Sequence, residues 1–226
     1  MGEGQTIYEF IKTYKVLYGN EIFRSNEEIK DKIIKSHDKA SQSLQNFESS
    51  INNCRKCKIS STRSNFIFGA GDPDADLLIV GESPSKEDDQ NGTLLSGNGG
   101  KLLGKILAAI GRDKINGVYI LNILKCWIPN NRDPLSSEIN KCEPYLIKQM
   151  NLIQPKLIVA LGKTVGKILL KQEIDFEVMR NGTHYYHDTI LRVTYHPSAL
   201  LNNPDLKNSA WNDFTWIRDY LNGKMD

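Results

Sequence analysis

The chain has no long apolar run. Nothing in it approaches the ~20 apolar residues that a bilayer-spanning helix requires. Its first residues, Met1-Gly2-Glu3-Gly4-Gln5, lack the basic-then-apolar pattern of an export signal. These two absences lead us to expect a cytoplasmic protein with no membrane partner. Charge of one sign is also lacking, because 29 Lys and Arg face 27 Asp and Glu for a net +2. A global basic field is thereby excluded, and any grip on nucleic acid has to come from local patches. Cysteine is scarce at four residues, and without an export signal these read as metal ligands or plain thiols and not as disulfides. Internal repeats and low-complexity tracts are absent, which excludes solenoid architectures.

What is present suits a globular core. At 226 residues, with 39% hydrophobic and 25% charged, the length fits one ordinary domain plus an appendage. The chain is organised around Leu77 to Leu95. Leu77-Leu78-Ile79-Val80 is a short apolar run suited to a strand buried on both faces, and Gly81 and Pro84 then force a turn. Glu82, Ser83 and Ser85 gather at that strand's carboxyl end, where open α/β sheets bind ligands. Taken alone, the stretch reads equally well as an ordinary strand-to-helix loop.

Around this stretch, residues 1–50 are charged, with Ile7, Phe10 and Ile11, then Ile29, Ile33 and Ile34, at helical spacing. Two or three amphipathic helices are expected there, the last through Ser41 to Ile51. They form an N-terminal helical extension, with a partner-binding arm as the alternative. Further strands are expected at about Asp76–Val80, Val118–Leu124, Lys156–Leu161 and Leu191–Tyr195. Helices are expected over Lys101–Ile110, after a Ser136 or Ser137 cap, over Lys163–Leu170, and over Ser209–Leu221. Residues 180–188 read as a hairpin or irregular excursion. The fold class that follows is α/β: a four-stranded parallel sheet flanked by helices in three layers, occupying 51–226. Glu82, Asn122 and His196 then fall at or near strand carboxyl ends.

Cys54 and Cys57, with two residues between them, can grip one metal centre, and Cys126 and Cys142 would complete a set of four. Four thiolates suit tetrahedral zinc or an iron–sulfur cluster. Fifteen residues separate the second pair, so spacing does not choose the metal and leaves buried free thiols open.

The motifs taken together resemble the uracil-DNA glycosylase superfamily, specifically its iron–sulfur family 4, over about residues 53–217. Gly81-Glu82-Ser83-Pro84-Ser85-Lys86-Glu87-Asp88-Asp89 is similar to that family's G-E-A-P-G-x-x-E-D. Asn122-Ile123-Leu124-Lys125-Cys126 resembles its asparagine-to-cysteine segment, Asn131 to Pro134 its N-R-D-P, and His196 to Leu201 its H-P-x-x-L-L. All four family cysteines match. The resemblance therefore implies a structural [4Fe–4S] cluster on Cys54, Cys57, Cys126 and Cys142, and no other small-molecule cofactor. It implies a uracil-DNA glycosylase-like fold, DNA as partner, and a monofunctional glycosylase acting on a flipped pyrimidine, with a monomer favoured. His196 would stabilise charge on the departing base at O2. Glu82, with Asp88 as second choice, would steady the cationic sugar and orient water. Asn122 would read the base edge. Leu200, together with Leu201, would wedge into the vacated stack, with Pro197 and Ser198 in the same DNA-contacting stretch.

The departures concern the pocket wall. Leu95 stands where the family places a stacking aromatic, Thr93-Leu94-Leu95 replacing R-P-F. Ser83 and Ser85 flank Pro84, and in family 1 enzymes a tyrosine at the Ser85 position excludes bases substituted at C5. Trp127-Ile128-Pro129-Asn130 replaces R-P-P-G, and no R-R-I-H follows Cys126, so the branch that crosslinks to DNA is not indicated. Uracil is the default substrate. The altered wall points to a bulkier 5-modified pyrimidine as the sharper variant, for example the glucosylated hydroxymethylcytosine of phage DNA removed by antiviral members. The alternative is a non-catalytic DNA-binding module on the same scaffold.

Overall fold

The computed structural model describes residues 26–113 and 116–224. Ile7, Phe10 and Ile11, on which the first helix is expected, lie outside them. The chain divides into two units, Met1–Lys39 and Ala40–Asp226. Where several short helices are expected before residue 51, the described residues hold one, α1 (Asn26–Ile51). Its sequence contains no Gly or Pro to end it. The second unit takes in the helix from Ala40 onward, with Leu44 and Ile51 buried in its core.

The sheet has six strands: β1 (Ala70–Gly71), β2 (Leu77–Gly81), β3 (Val118–Asn122), β4 (Leu157–Leu161), β5 (His184–Tyr186) and β6 (Thr189–Thr194). Their spatial order is β1-β3-β2-β4-β6-β5. The four central strands are parallel, as expected, with β2 and β3 aligned Leu77 to Val118 through Gly81 to Asn122. Two short antiparallel strands are added at the margins. β5 lies in the expected excursion, whereas β1 occupies what reads in sequence as only a glycine-rich turn.

Every residue of β2, β3 and β4 is buried, which is why these strands read as continuous apolar runs. Period-2 alternation then divides them between two cores. Leu78, Val80, Leu121 and Ile158 face one side, joined by Leu146 and Val165 of α4 (Ser136–Ile153) and α5 (Lys163–Leu170). Leu77, Ile79, Ile120 and Val159 face the other, joined by Leu103 of α3 (Asn98–Ala109) and Phe214 of α8 (Lys207–Leu221). Trp211 shares the helical spacing of Phe214 and Ile217 yet is 42% exposed, and Ala210, Phe214 and Ile217 form the buried stripe of α8. Between these elements lie α2 (Lys86–Asn91), α6 (Phe176–Asn181) and α7 (Pro197–Asn202).

Two helix starts differ from the expected ones. α3 begins three residues early, taking Gly99 and Gly100 into its first turn. Neither expected serine caps α4. Leu135 holds the cap position, and its N–H is satisfied by the Glu138 carboxylate at 3.0 Å, which Arg132 also grips through two hydrogen bonds of 2.9 and 2.6 Å. The acid in the first turn supplies the reach-back half of a capping box, satisfying the cap residue's own N–H, where a serine cap would instead hold an N–H of the first turn.

Candidate active site

From β2 the chain passes to β3 on one side and later to β4 on the other, so the carboxyl ends of β2 and β4 mark the point where strand order reverses. A cavity of about 620 Å³ opens there, lined by Glu82, Ser83, Ser85, Asp88, Leu95, Asn122, His196, Pro197 and Ser198. Nine of the eleven non-cysteine residues singled out from sequence thus meet in one cleft. A hollow of similar size, about 640 Å³, lies at the opposite strand ends, where Asp76 and Arg112 on its wall are ion-paired.

Glu82 follows β2 directly and is half-buried. Its backbone carbonyl accepts from Leu124 N–H at 3.0 Å, tying it to the segment that follows Asn122. Burial pushes its pKa above the ordinary carboxylate value, the Thr164 hydroxyl donates toward it and pulls the other way, and the charge of Asp133 raises it further. Asn122 ends β3 opposite Gly81 and is buried at 8% exposure. A Cβ on Gly81 would run into the Asn122 amide oxygen, so the absent side chain is what lets the amide lie across β2 toward the cleft.

His196 leaves β6 and caps α7 with its own ring. Ser198 N–H donates to Nδ1 at 3.2 Å, and Ser198 Oγ lies 2.6 Å from the same nitrogen. A backbone N–H can only donate, so Nδ1 is an acceptor and the neutral ring carries its proton on Nε2. The ring is open to the cavity by surface area, yet densely surrounded by protein. That crowding lowers its pKa below the usual imidazole value and keeps it neutral. Gly162, at φ +91°, lets β4 turn beneath the His196 Cβ.

Two expectations change in emphasis. Asp88 is buried, and both its oxygens are occupied: Oδ2 by Ser85 N–H at 3.1 Å, Oδ1 by Ser96 N–H at 2.7 Å. It caps α2 reciprocally with the Ser85 hydroxyl and pins the loop carrying Leu95, so of the two acids singled out from sequence Glu82 is the one not committed to backbone N–H groups. Leu95 itself holds a left-handed backbone at φ +65°, which costs a non-glycine residue roughly 1–3 kcal/mol. Leu200 is 1% exposed and belongs to the core, whereas Leu201 is 45% exposed. An apolar wedge has to be at the surface, so that expectation moves from Leu200 to Leu201.

Sequence reasoning missed Thr164 and Lys125. Thr164 is the second residue of α5, three positions past the end of β4, so its place just beyond a strand's carboxyl end was the available signal. Lys125 is entirely buried, and its Nζ donates to the Asn122 carbonyl at 2.7 Å. Burial pulls its pKa down to about 7, with the charge of Cys142 pulling it back up.

The four cysteines, none disulfide-bonded, pack into one apolar cluster. Burial pushes the Cys142 thiol up to about 11, against the charge and backbone N–H of Lys125. Burial also raises Cys126, against a hydrogen bond of 3.1 Å from Arg63. Tyr145 donates to Cys54 at 3.3 Å, and Lys56 lies 4.8 Å over the Tyr145 ring. Donors and cations thus converge on sulfur from several sides. That donor set fits an anionic thiolate-bound group far better than four neutral thiols. Among the described residues, no three His, Cys, Asp or Glu side chains converge on a single-ion site.

Residues 68–216 match the family model of the uracil DNA glycosylase superfamily. The type-4 uracil-DNA glycosylase of Sulfurisphaera tokodaii is 37% identical over 185 residues, covering 78% of this chain and 84% of that protein. Its counterpart in Archaeoglobus fulgidus is 33% identical over 193 residues, covering 81% and 96%. That of Thermotoga maritima is 34% identical over 155 residues, covering 68% and 80%.

Proposed function

The chain belongs to the uracil-DNA glycosylase superfamily, and from that premise we propose that it hydrolyses the N-glycosidic bond of uracil flipped out of DNA, leaving an abasic site. The observation that carries this reading is the meeting of Glu82, Asn122 and His196 in one cleft at the strand ends. When the bond from C1′ to the base nitrogen breaks, its electron pair leaves with the pyrimidine and spreads onto O2. The neutral His196, with its proton on Nε2, donates a hydrogen bond to that oxygen without giving up the proton. The sugar is left cationic at C1′. Ionised Glu82 steadies it, orients the attacking water, and takes up the proton that water loses on adding to C1′. Asn122 pairs with the exposed edge of the base, and Leu201 fills the gap left in the stack.

Cys54, Cys57, Cys126 and Cys142 are the residues that would hold a [4Fe–4S] cluster, whose irons each take one thiolate and so require no convergence on a single point. When bound, the cluster supplies crosslinking between the loop after α1, the end of β3 and α4, and negative charge opposite Lys125 and Arg63.

A second reading, a bulkier 5-modified pyrimidine, draws on Ser85 and Leu95. The small Ser85 side chain lines the cleft and is engaged in capping α2, and Leu95 offers no aromatic platform. The relatives are named for uracil, so uracil comes first, and no feature of the cleft favours a role in phage defence. Purified protein incubated with oligonucleotides bearing uracil, thymine, or hydroxymethylated or glucosylated pyrimidines, then treated with alkali, separates these readings. Strand cleavage at uracil alone supports the first. Cleavage at a 5-modified base supports the second. Binding without any cleavage leaves a DNA-binding module.

A further inference from the structure

Five large apolar side chains stand well exposed among the described residues: Leu135, Val178, Tyr185, Leu201 and Trp211. A single exposed leucine is ordinary on a protein surface, so position has to decide which of them matter. Val178, Tyr185 and Trp211 lie on α6, β5 and α8, none of which contributes to the cleft wall. The two leucines lie on segments that do. Leu201 is carried by α7, whose Pro197 and Ser198 line the cleft, and Leu135 ends the loop whose Asn131 and Arg132 line it. These segments reach the cleft from opposite sides. The loop follows β3 and α7 follows β6, and those two strands flank the central β2–β4 pair.

Leu135 is also fixed in place. Its N–H donates to the Glu138 carboxylate at 3.0 Å, and its carbonyl accepts from the N–H groups of Glu138 and Ile139 at 2.8 and 3.0 Å. Glu138 is itself buried and gripped by Arg132. The loop starts from Ile128, which is fully packed, and turns through Asn130 and Asn131 at φ +62° and +50°. Asparagine tolerates that left-handed conformation better than most side chains. A backbone anchored at both ends thus presents Leu135 at 52% exposure, where water and not protein covers much of it. We propose that Leu135 is a second apolar wedge. It contacts the base pair beside the extruded nucleotide on the side away from Leu201, so that the two leucines hold duplex DNA open from both sides of the cleft. The inference rests on the reading of the cleft as the seat of a flipped pyrimidine with Leu201 in the vacated stack. A single strand has no paired partner to be held apart, so the contribution of Leu135 belongs to duplex DNA.

The test measures single-turnover release of uracil from a duplex and from the same strand alone, using the full chain carrying Leu135→Ala or Leu135→Met. Leu135→Ala is expected to slow release from the duplex about tenfold and from the single strand less than about twofold, with Tm unchanged. Leu135→Met, which keeps a long apolar side chain, is expected to recover most of the loss. A second readout uses the Glu82→Gln background, in which DNA is bound and not consumed. There the fluorescence of 2-aminopurine placed on either side of the uracil rises as its neighbours unstack. Leu135→Ala is expected to abolish the rise on one side of the uracil, and Leu201→Ala on the other. Equal slowing on duplex and single strand overturns the proposal, as does an unchanged duplex rate. Loss of the rise on the same side in both variants also overturns it. Failure of the glycosylase reading is a different result: no release by the unmodified protein, with the fluorescence still readable in binding.

Discussion

The cleft and the cysteine pocket both sit near the carboxyl end of β3, but they are finished to different degrees. In the cleft each working group already has its orienting partner. Ser198 holds the His196 ring, Thr164 faces Glu82, and the space left by Gly81 receives Asn122. The free atoms that remain point at where a substrate would lie. In the cysteine pocket the imbalance runs the other way. Arg63, Tyr145 and Lys125 surround four sulfurs whose pKa values, where shifted, are raised by burial. A catalytic site can be pre-organised before its substrate arrives, whereas a cofactor pocket is completed by its cofactor.

The largest effects should come from the cleft and should leave the scaffold intact. Glu82→Gln and His196→Ala are each expected to slow base release by about 10²- to 10⁴-fold, with iron content and Tm close to the unmodified protein. Full activity in both variants would remove the mechanism. The reverse pattern is expected from the cysteine pocket. Stripping iron with a chelator should lower Tm by roughly 10 °C, corresponding to a few kcal/mol for a domain of this size, and bleach the visible absorbance. A stripped protein with unchanged Tm would erase the contrast between the two regions.

Adjacent leucines give an intermediate test. Leu200→Ala should cost about 2–5 kcal/mol of stability, as for a buried aliphatic side chain. Leu201→Ala should leave Tm unchanged and weaken excision from duplex DNA by about tenfold, equivalent to the ~1.4 kcal/mol that a partly buried aliphatic contact supplies. If Leu201→Ala matters no more on duplex than on single-stranded substrate, it is not the wedge.

The smallest effect concerns protons. The Glu82 pKa is raised in the folded state, so ionising Glu82 works against folding, and its penalty appears as pH rises through that raised value. Glu82→Gln should therefore raise Tm slightly at pH 7, and the gain should vanish below about pH 4, where the acid is protonated in both folded and unfolded chains. In the unmodified enzyme the same shift should place the acid limb of the rate profile above the ordinary carboxylate range. A profile flat down to pH 4 would remove Glu82 as the ionised group.

Much of this was legible in the sequence because burial imposes period. Leu77–Val80, Val118–Leu121 and Leu157–Leu161 are apolar on both faces, so the parallel centre of the sheet and the strand-end positions of Glu82, Asn122 and His196 followed directly. The margins did not, because a two-residue strand such as Ala70–Gly71 has no period to read. Asp88 reads as a catalytic acid because sequence does not show which backbone amides a carboxylate will meet. Leu200 and Leu201 are chemically identical, and only the orientation of α7 sends one inward and one outward. Lys125 draws no attention in the sequence, because its complete burial depends on segments that meet it only in the fold.

The margins of the sheet carry a consequence of their own. One ends in two residues and the other in three, both running against the parallel centre. An incoming polypeptide therefore finds no long, flat row of unpaired amides and carbonyls on which to grow a fibre. The molecule can be crowded at high concentration without its sheets zipping together, although its centre is made of the residue types most prone to do so.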